Sequence, residues 1–397
     1  MIKNWIHSLL SFLVIIGIHI ACASDSTDEA KVEELDIKTQ PDKITMPIEG
    51  EIKDATPEKI FEWQHHFRQA PNKQEREKIE LQVQKNPIDD DQDAILKHAR
   101  NLNVLGRLNE AEASYRRILR LNPKHFEAHL ELAQLCLQRS EISKAFDYIV
   151  TARKLIDLQE NPPKSEIFTY KYTLALAYLA RDRRDEGHQI LSDLIAMEPD
   201  FIPAYVALAD SYLSRNQYEL AEFVAKRGID RSDSHIELMN VLGVVAGQQG
   251  DYLQARRWYD RVLEIDKEHV PTLVNRANLS LIRHEYAAAE ADLNLAINIR
   301  PTFVNAHIAM GILYKRTGRF DISKTAFQQA LDLDPESSFA RFNLALLLAE
   351  RFDDRNNALR LFYEVLQTQD ETQDLKSLAK VHIHGLRQNR LDFQDKH

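Results

Sequence analysis

The chain has 397 residues, 44% of them hydrophobic types, with 51 basic against 61 acidic side chains and a net charge of −10. That length and apolar content allow a sizeable core and exclude a chain disordered throughout. The negative balance, with basic residues scattered along the chain, excludes a nucleic-acid partner. Only 11 glycines and 13 prolines, with few alternating runs, point to helix.

The first 23 residues read as a leader. Lys3 is a weak basic region, residues 9–20 are apolar apart from Ser11, Gly17 and His19, and Ala21-Cys22-Ala23 is the small-x-small pattern that a signal peptidase accepts. Cleavage after Ala23 is expected, and with it an exported, periplasmic or secreted chain. A lipoprotein beginning at Cys22 is the alternative; His19 stands where that pattern has leucine. An uncleaved N-terminal anchor is the third reading, although the run is short of the roughly 20 residues a membrane span needs. Membrane attachment is expected through this segment alone. If Cys22 is removed, Cys136 is the single thiol, and its helical apolar surroundings mark it as a small buried hydrophobe.

Residues 24–55 carry ten acidic side chains against four lysines and no aromatic residue, and Pro41 and Pro47 interrupt them. This composition cannot bury enough apolar surface to offset ordering and predicts a disordered acidic linker. Residues 56–91 turn helical. Thr56-Pro57-Glu58 combines a cap, a first-turn proline and an acid near the positive helix end. Ile60, Trp63 and Phe67 follow at helical spacing, then Ile79, Leu81 and Val83 on a mostly charged helix.

From residue 92 a 34-residue period governs the chain. Pro199, Asp233, Lys267, Pro301 and Pro335 each follow an apolar helix end at that spacing. Twelve residues before each stop stands a small side chain: Gly187, Ala221, Ala255, Ala289 and Ser323. Twenty-four before stand Ala175, Ala209, Gly243, Ala277 and Gly311. Seventeen before stand the turn residues Asp182, Asn216, Gly250, His284 and Gly318. Pro123 and Asp157 extend the series towards the N-terminus, with an insertion near residues 158–166. A further unit follows Pro335, with Ala345 in register and Ala358 and Phe362 one position late. The expectation is eight helix-turn-helix units over residues 92–369, then a capping helix and tail over 370–397.

This pattern resembles the tetratricopeptide repeat (TPR). The unit ending at Pro335 matches most fully, with Gly311, Tyr314, Gly318, Phe320, Phe327 and Ala330 in the family's places. Arg276, at a usually apolar place, departs from the pattern. The resemblance implies an all-α, right-handed α-solenoid in which stacked pairs share one core. It also implies a concave groove lined by the first helix of each pair. The register puts Tyr172, Val206, Asp210, Asn240, Asn278, Ile308, Ile312, Phe342 and Leu346 in that groove. Members that clamp a terminal carboxylate use lysine with asparagine; Asn275 and Asn278 fit, but Val274 holds the lysine place, so no clamp is expected. The groove reads as apolar with isolated polar groups, suited to a peptide or protein segment.

No catalytic constellation appears. Residues 89–93 open like a calcium loop but fail at Ala94 and Arg100, and read better as an acidic helix start. The pairs His65–His66 and His382–His384 lack zinc-type companions. There is no nucleophile elbow, phosphate loop or dinucleotide fingerprint. No cofactor or metal is expected. The functional expectation is a non-enzymatic scaffold outside the cytoplasm, in assembly of an envelope, pilus or secretion complex. The alternative is a periplasmic chaperone or a regulatory subunit holding an exported enzyme.

Overall fold

The computed structural model describes residues 73–84, 90–232, 235–368 and 373–394. The leader, the acidic linker and the helix expected around Ile60, Trp63 and Phe67 lie outside these residues. Among the described residues there are eighteen helices and no strand. None of these helices is long and apolar enough to cross a membrane.

Helix α1 is Lys73–Val83. Eight pairs follow: α2 Gln92–Val104 with α3 Leu108–Leu121; α4 Phe126–Gln138 with α5 Ile142–Asp157; α6 Lys164–Ala180 with α7 Arg184–Met197; α8 Ile202–Leu213 with α9 Tyr218–Ile229; α10 Ile236–Gln248 with α11 Tyr252–Ile265; α12 Val270–Ile282 with α13 Tyr286–Ile299; α14 Val304–Arg316 with α15 Phe320–Leu333; and α16 Ser338–Arg351 with α17 Arg355–Gln367. Helix α18, Gln373–Gln394, closes the array.

Local chemistry sets these boundaries. Asp91 caps α2 by accepting from the amides of Asp93 and Ala94, so the part of the acidic run within the described residues, 90–93, opens a helix. Every pair turns through one residue with positive φ: Gly106, Ser140, Asp182, Asn216, Gly250, His284, Gly318 and Asp353. That conformation reverses the chain in three residues and favours glycine. The late register of the last unit has a simple cause: α16 has 14 residues where α14 has 13. The insertion before α6 is only partly loop. Lys164–Ala180 runs to 17 residues, so about a turn of the inserted sequence is helix.

Helix crossings explain the two rows of small residues. Ala111, Ala145, Ala221, Ala255, Ala289, Ser323 and Ala358 are all fully buried on the second helices. Ala99, Ala133, Ala175, Ala209, Ala277 and Ala345 are equally buried on the first. A side chain at Gly311 would run into the ring of Phe327, and one at Gly243 into Tyr259. Close backbone approach and an aromatic filling the gap therefore belong together. Ser323 also donates its hydroxyl to the Gly311 carbonyl at 2.7 Å, satisfying a buried oxygen.

Packing is layered. Each second helix packs on its own partner and on the next first helix. First helices of successive pairs also pack on one another, from α4 to α16, whereas no two second helices do so to a comparable extent. The first helices thus form the tighter, inner layer of a curved array, as neighbours closer on one face than on the other must.

The ends are covered. Val83 and Ile79 of α1 pack on Ile95 and Leu96 of α2. Leu375, Ala379 and Ile383, one turn apart on α18, pack on the last pair. Cys136 is buried in α4, and burial pushes its thiol pKa up, which makes it inert.

Candidate protein-binding surface

The nine residues assigned to the groove divide into two groups. Val206, Asp210, Asn240 and Ile312 are half-buried on the inner layer. Tyr172, Asn278, Ile308, Phe342 and Leu346 are buried within the single chain. For these five the expectation of an open groove position is corrected, because neighbouring elements already cover them. Phe342 is fully buried: the Phe362 ring lies 5.5 Å away edge-on, and His382 of α18 lies at 5.9 Å. His382 stacks on Phe362 at 5.4 Å, so it serves as packing against the last pair, while His384 is exposed. Leu346 and Ile308 belong to the same terminal core. Tyr172 meets Phe201 edge-on at 5.6 Å. Burial lifts its phenol pKa above the usual range.

Polar side chains of the inner layer join adjacent first helices. Arg100 on α2 bonds Glu131 on α4 at 2.6 Å, and the Tyr115 hydroxyl donates to the other oxygen of Glu131. Gln134 on α4 donates to Thr173 on α6 at 2.9 Å. Asn240 on α10 accepts at one oxygen from Thr272, 2.9 Å, and from Asn275, 3.0 Å, both on α12. The Thr272 hydroxyl has one proton and gives it to Asn240, so the Nδ1 of His269, 2.7 Å away, must be its donor. His269 is neutral, its pKa held at about 4 by burial first and by the Arg300 charge second. Lys315 on α14 pairs with Glu350 on α16 at 2.9 Å. Arg316 donates to the carbonyl of Leu281 on α12 at 2.7 Å.

The seam between α8 and α10 differs. Asp210 on α8 and Glu237 on α10 are both acids. Burial raises the pKa of Glu237 to about 7, and the charges of Asp210 and Asp266 add to the rise. The Oε2 of Glu237 lies 3.1 Å from Nδ1 of His235, whose own pKa burial lowers to about 4. Both atoms are buried without a hydrogen-bond partner among the described residues.

Arg276, the departure from the repeat pattern, points away from this surface. It bridges Asp260 on α11 and Asp292 on α13 at 2.8 Å each, and these bonds raise its pKa. A cation at an apolar place is tolerated because two acids on the flanking second helices receive it.

A second set of donors was hidden in the sequence. His129 and His307 each place Nε2 within 2.9 and 2.7 Å of the carbonyls of Pro123 and Pro301. Tyr205 reaches the carbonyl of Pro199 at 3.0 Å, and Arg341 reaches that of Pro335. In each case the donor stands six residues after a proline that ends a pair. Where the stop is Asp233 or Lys267, the sixth residue is the apolar Met239 or Leu273. That alternation was readable in the sequence as a signal.

Comparison with known proteins agrees with the architecture. A family profile described as tetratricopeptide repeat matches residues 96–154 and 206–270, and another of the same description matches residues 304–337. The chain is similar to anaphase-promoting complex subunit 3 of Schizosaccharomyces pombe, 23% identical over 221 residues, 55% of this chain and 32% of that protein. It is also similar to the human protein O-mannosyl-transferase TMTC3, 22% identical over 272 residues, 64% of this chain and 30% of that protein. The chain thus spans about a third of the length of these relatives. Among solved structures, that of the APC/C hetero-tetramer Cut9-Hcn1 superposes with a TM-score of 0.57 at 16% identity, over 78% of this chain and 60% of that one. At that identity the likeness concerns the fold. Eight helix pairs, small residues at every crossing and three matched segments lead to one conclusion: the chain carries tetratricopeptide repeats, stacked as a helical solenoid.

Proposed function

We propose that this protein is a non-enzymatic scaffold that holds a segment of a partner protein against the inner layer formed by its first helices. The observation that carries this reading is the row of half-buried positions on that layer. Val206, Asp210, Asn240 and Ile312 lie on α8, α10 and α14 and are left partly open by the helices that bury Tyr172, Ile308 and Phe342. A row of this kind offers alternating apolar and hydrogen-bonding contacts along an extended or helical segment. The repeats occupy nearly all the described residues, which leaves no second unit among them for catalysis.

The setting we propose is outside the cytoplasm, in assembly of an envelope, pilus or secretion complex. Its support is the leader-like sequence ending at Ala23 and the acidic stretch that follows. A chaperone or regulatory subunit holding an exported enzyme is the second reading. The test is affinity capture after crosslinking in native cells, wild type against Val206→Glu with Ile312→Glu, the variant first shown to melt as wild type. Loss of one native, assembled partner supports the scaffold. Recovery of the same partners with both proteins would move the binding surface elsewhere. A partner recovered unfolded would favour the chaperone.

A further inference from the structure

We propose that the outer face of α9 and α11 docks the chain's own acidic stretch, through residues 32–37. The contact lies on the outer layer and leaves the inner layer free.

Two large apolar side chains stand open on α9: Leu220 is 45% exposed and Phe223, one turn on, 58%. The repeat does not require them, since the equivalent places hold Glu186 and Gln189 on α7 and Ala288 and Ala291 on α13. Open apolar side chains grouped together and rimmed by polar groups mark interaction surfaces. The rim here is cationic. The Arg227 guanidinium lies over the Phe223 ring, 5.3 Å from its centre, and that of Arg261 over Trp258 at 5.9 Å. Trp258 of α11 and Ile229 of α9 pack on the same buried residues, Ile236, Met239 and Val262, so the two outer helices are neighbours there. Along their middle turns, residues 223–227 and 257–261, Lys226, Arg227, Arg257 and Arg261 stand against a single acid, Asp260, which Arg276 holds at 2.8 Å. Lys226 is paired with Glu222 at 2.6 Å. Arg227 and Arg257 have no ion pair among the described residues.

Apolar side chains beside unpaired guanidinium groups fit a segment that mixes apolar and acidic residues, because arginine binds carboxylate through two parallel hydrogen bonds. Residues 24–55 hold ten acids against four lysines. Within them Val32-Glu33-Glu34-Leu35-Asp36-Ile37 sets three acids among three apolar residues, with no lysine. The chain is long enough to bring this segment to the face. Helix α9 lies six packed steps from α1, by way of α2, α3, α4, α6 and α8. At about 10 Å a step that is about 60 Å. Residues 38–72 reach about 120 Å when extended. The covalent tether makes the docking intramolecular, which favours this segment over a free acidic peptide or a second copy. Docked there, it ties the middle of the array to the N-terminal part of the chain and leaves the opposite layer open to a partner.

The test uses the full chain with an aromatic photocrosslinking residue in place of Phe223. Isotopically light and heavy chains are mixed before irradiation, and the crosslinked peptides are read by mass spectrometry. The expected crosslink joins position 223 to residues 32–37 of the same chain. Its yield should fall about tenfold in an Arg227→Glu, Arg257→Glu variant that melts as wild type, since two attractive contacts become repulsive. Adding Glu33→Lys, Glu34→Lys and Asp36→Lys to that variant should restore it. Absence of the crosslink in the folded protein overturns the proposal, as does a yield indifferent to the charge reversal. Crosslinks that join light to heavy chains would assign the face to a second copy, and crosslinks in native cells to another protein alone would assign it to a partner; either result overturns the proposal.

Discussion

His307 on α14 donates its Nε2–H to the carbonyl of Pro301, 2.7 Å away, and so ties the first helix of one pair to the end of the pair before it. The carbonyl can only accept, so the imidazole must carry a proton on Nε2. Proline stops the second helix and leaves this oxygen facing the next helix. His129, Tyr205 and Arg341 repeat the contact at the other three prolines.

Replacing His307 by alanine should therefore cost about 1 kcal/mol, the ordinary net worth of a hydrogen bond whose acceptor water can reach once the ring is gone. The check is the urea midpoint of unfolding. Leu273, six residues after Lys267, is the internal control: no proline precedes it, and Leu273→His should lower stability rather than raise it.

Crossing geometry makes a second prediction. The ring of Phe327 fills the space above Gly311, and a methyl group there would collide with it. Gly311→Ala should cost about 1–3 kcal/mol by overpacking, and Ala289→Leu a similar amount. Phe327→Leu should rescue part of the first loss and none of the second. A double-mutant cycle separates the two outcomes.

Turn geometry makes a third. Gly250 has φ +83° and nothing within 4 Å of where a Cβ would stand. Gly250→Ala should thus lose about 1 kcal/mol through backbone conformation alone. Gly250→Asn should lose less, because asparagine already holds the equivalent turn at Asn216 with φ 58°. Thermal melting of the three proteins orders them.

Stability should depend on pH through Glu237. Its folded pKa, about 7, is above the ordinary value of 4.5, chiefly through burial. The folded state therefore prefers the protonated acid. The stability this lends is fully present below about pH 4.5 and is lost as pH rises through 7. Melting temperatures at pH 5.5 and pH 8.5 should differ less for Glu237→Gln than for wild type. An unchanged difference would show that other groups govern this range.

Much of the architecture was legible in the sequence because repeats impose it many times over. The 34-residue period, the small residues at crossings and the turn places at Asp182, Asn216, Gly250, His284 and Gly318 all rest on local backbone geometry. Burial on the inner layer was not legible in the same way. Whether Tyr172 or Ile308 faces solvent depends on how closely successive first helices approach, and no single unit encodes that spacing. Phe342 and Leu346 were read as open because the pattern of their own unit says nothing of α18, which folds back over them. Asp210 was assigned by register, but Glu237 was missed, since one acid at a helix start looks ordinary until a second is found across the seam. The proline-to-donor relation lay in plain view at a separation of six residues, outside the periodicities used to find helices.

The central claim is that the inner layer of first helices is the surface that meets the partner. A photocrosslinking residue placed at Val206 or at Ile312 tests it most directly, with Leu253, 64% exposed on a second helix, as the outer-layer position. The account predicts that both inner positions crosslink to one shared partner segment in native cells and that Leu253 does not. Crosslinks from Leu253 alone, with Val206 and Ile312 silent in a folded protein, would contradict it.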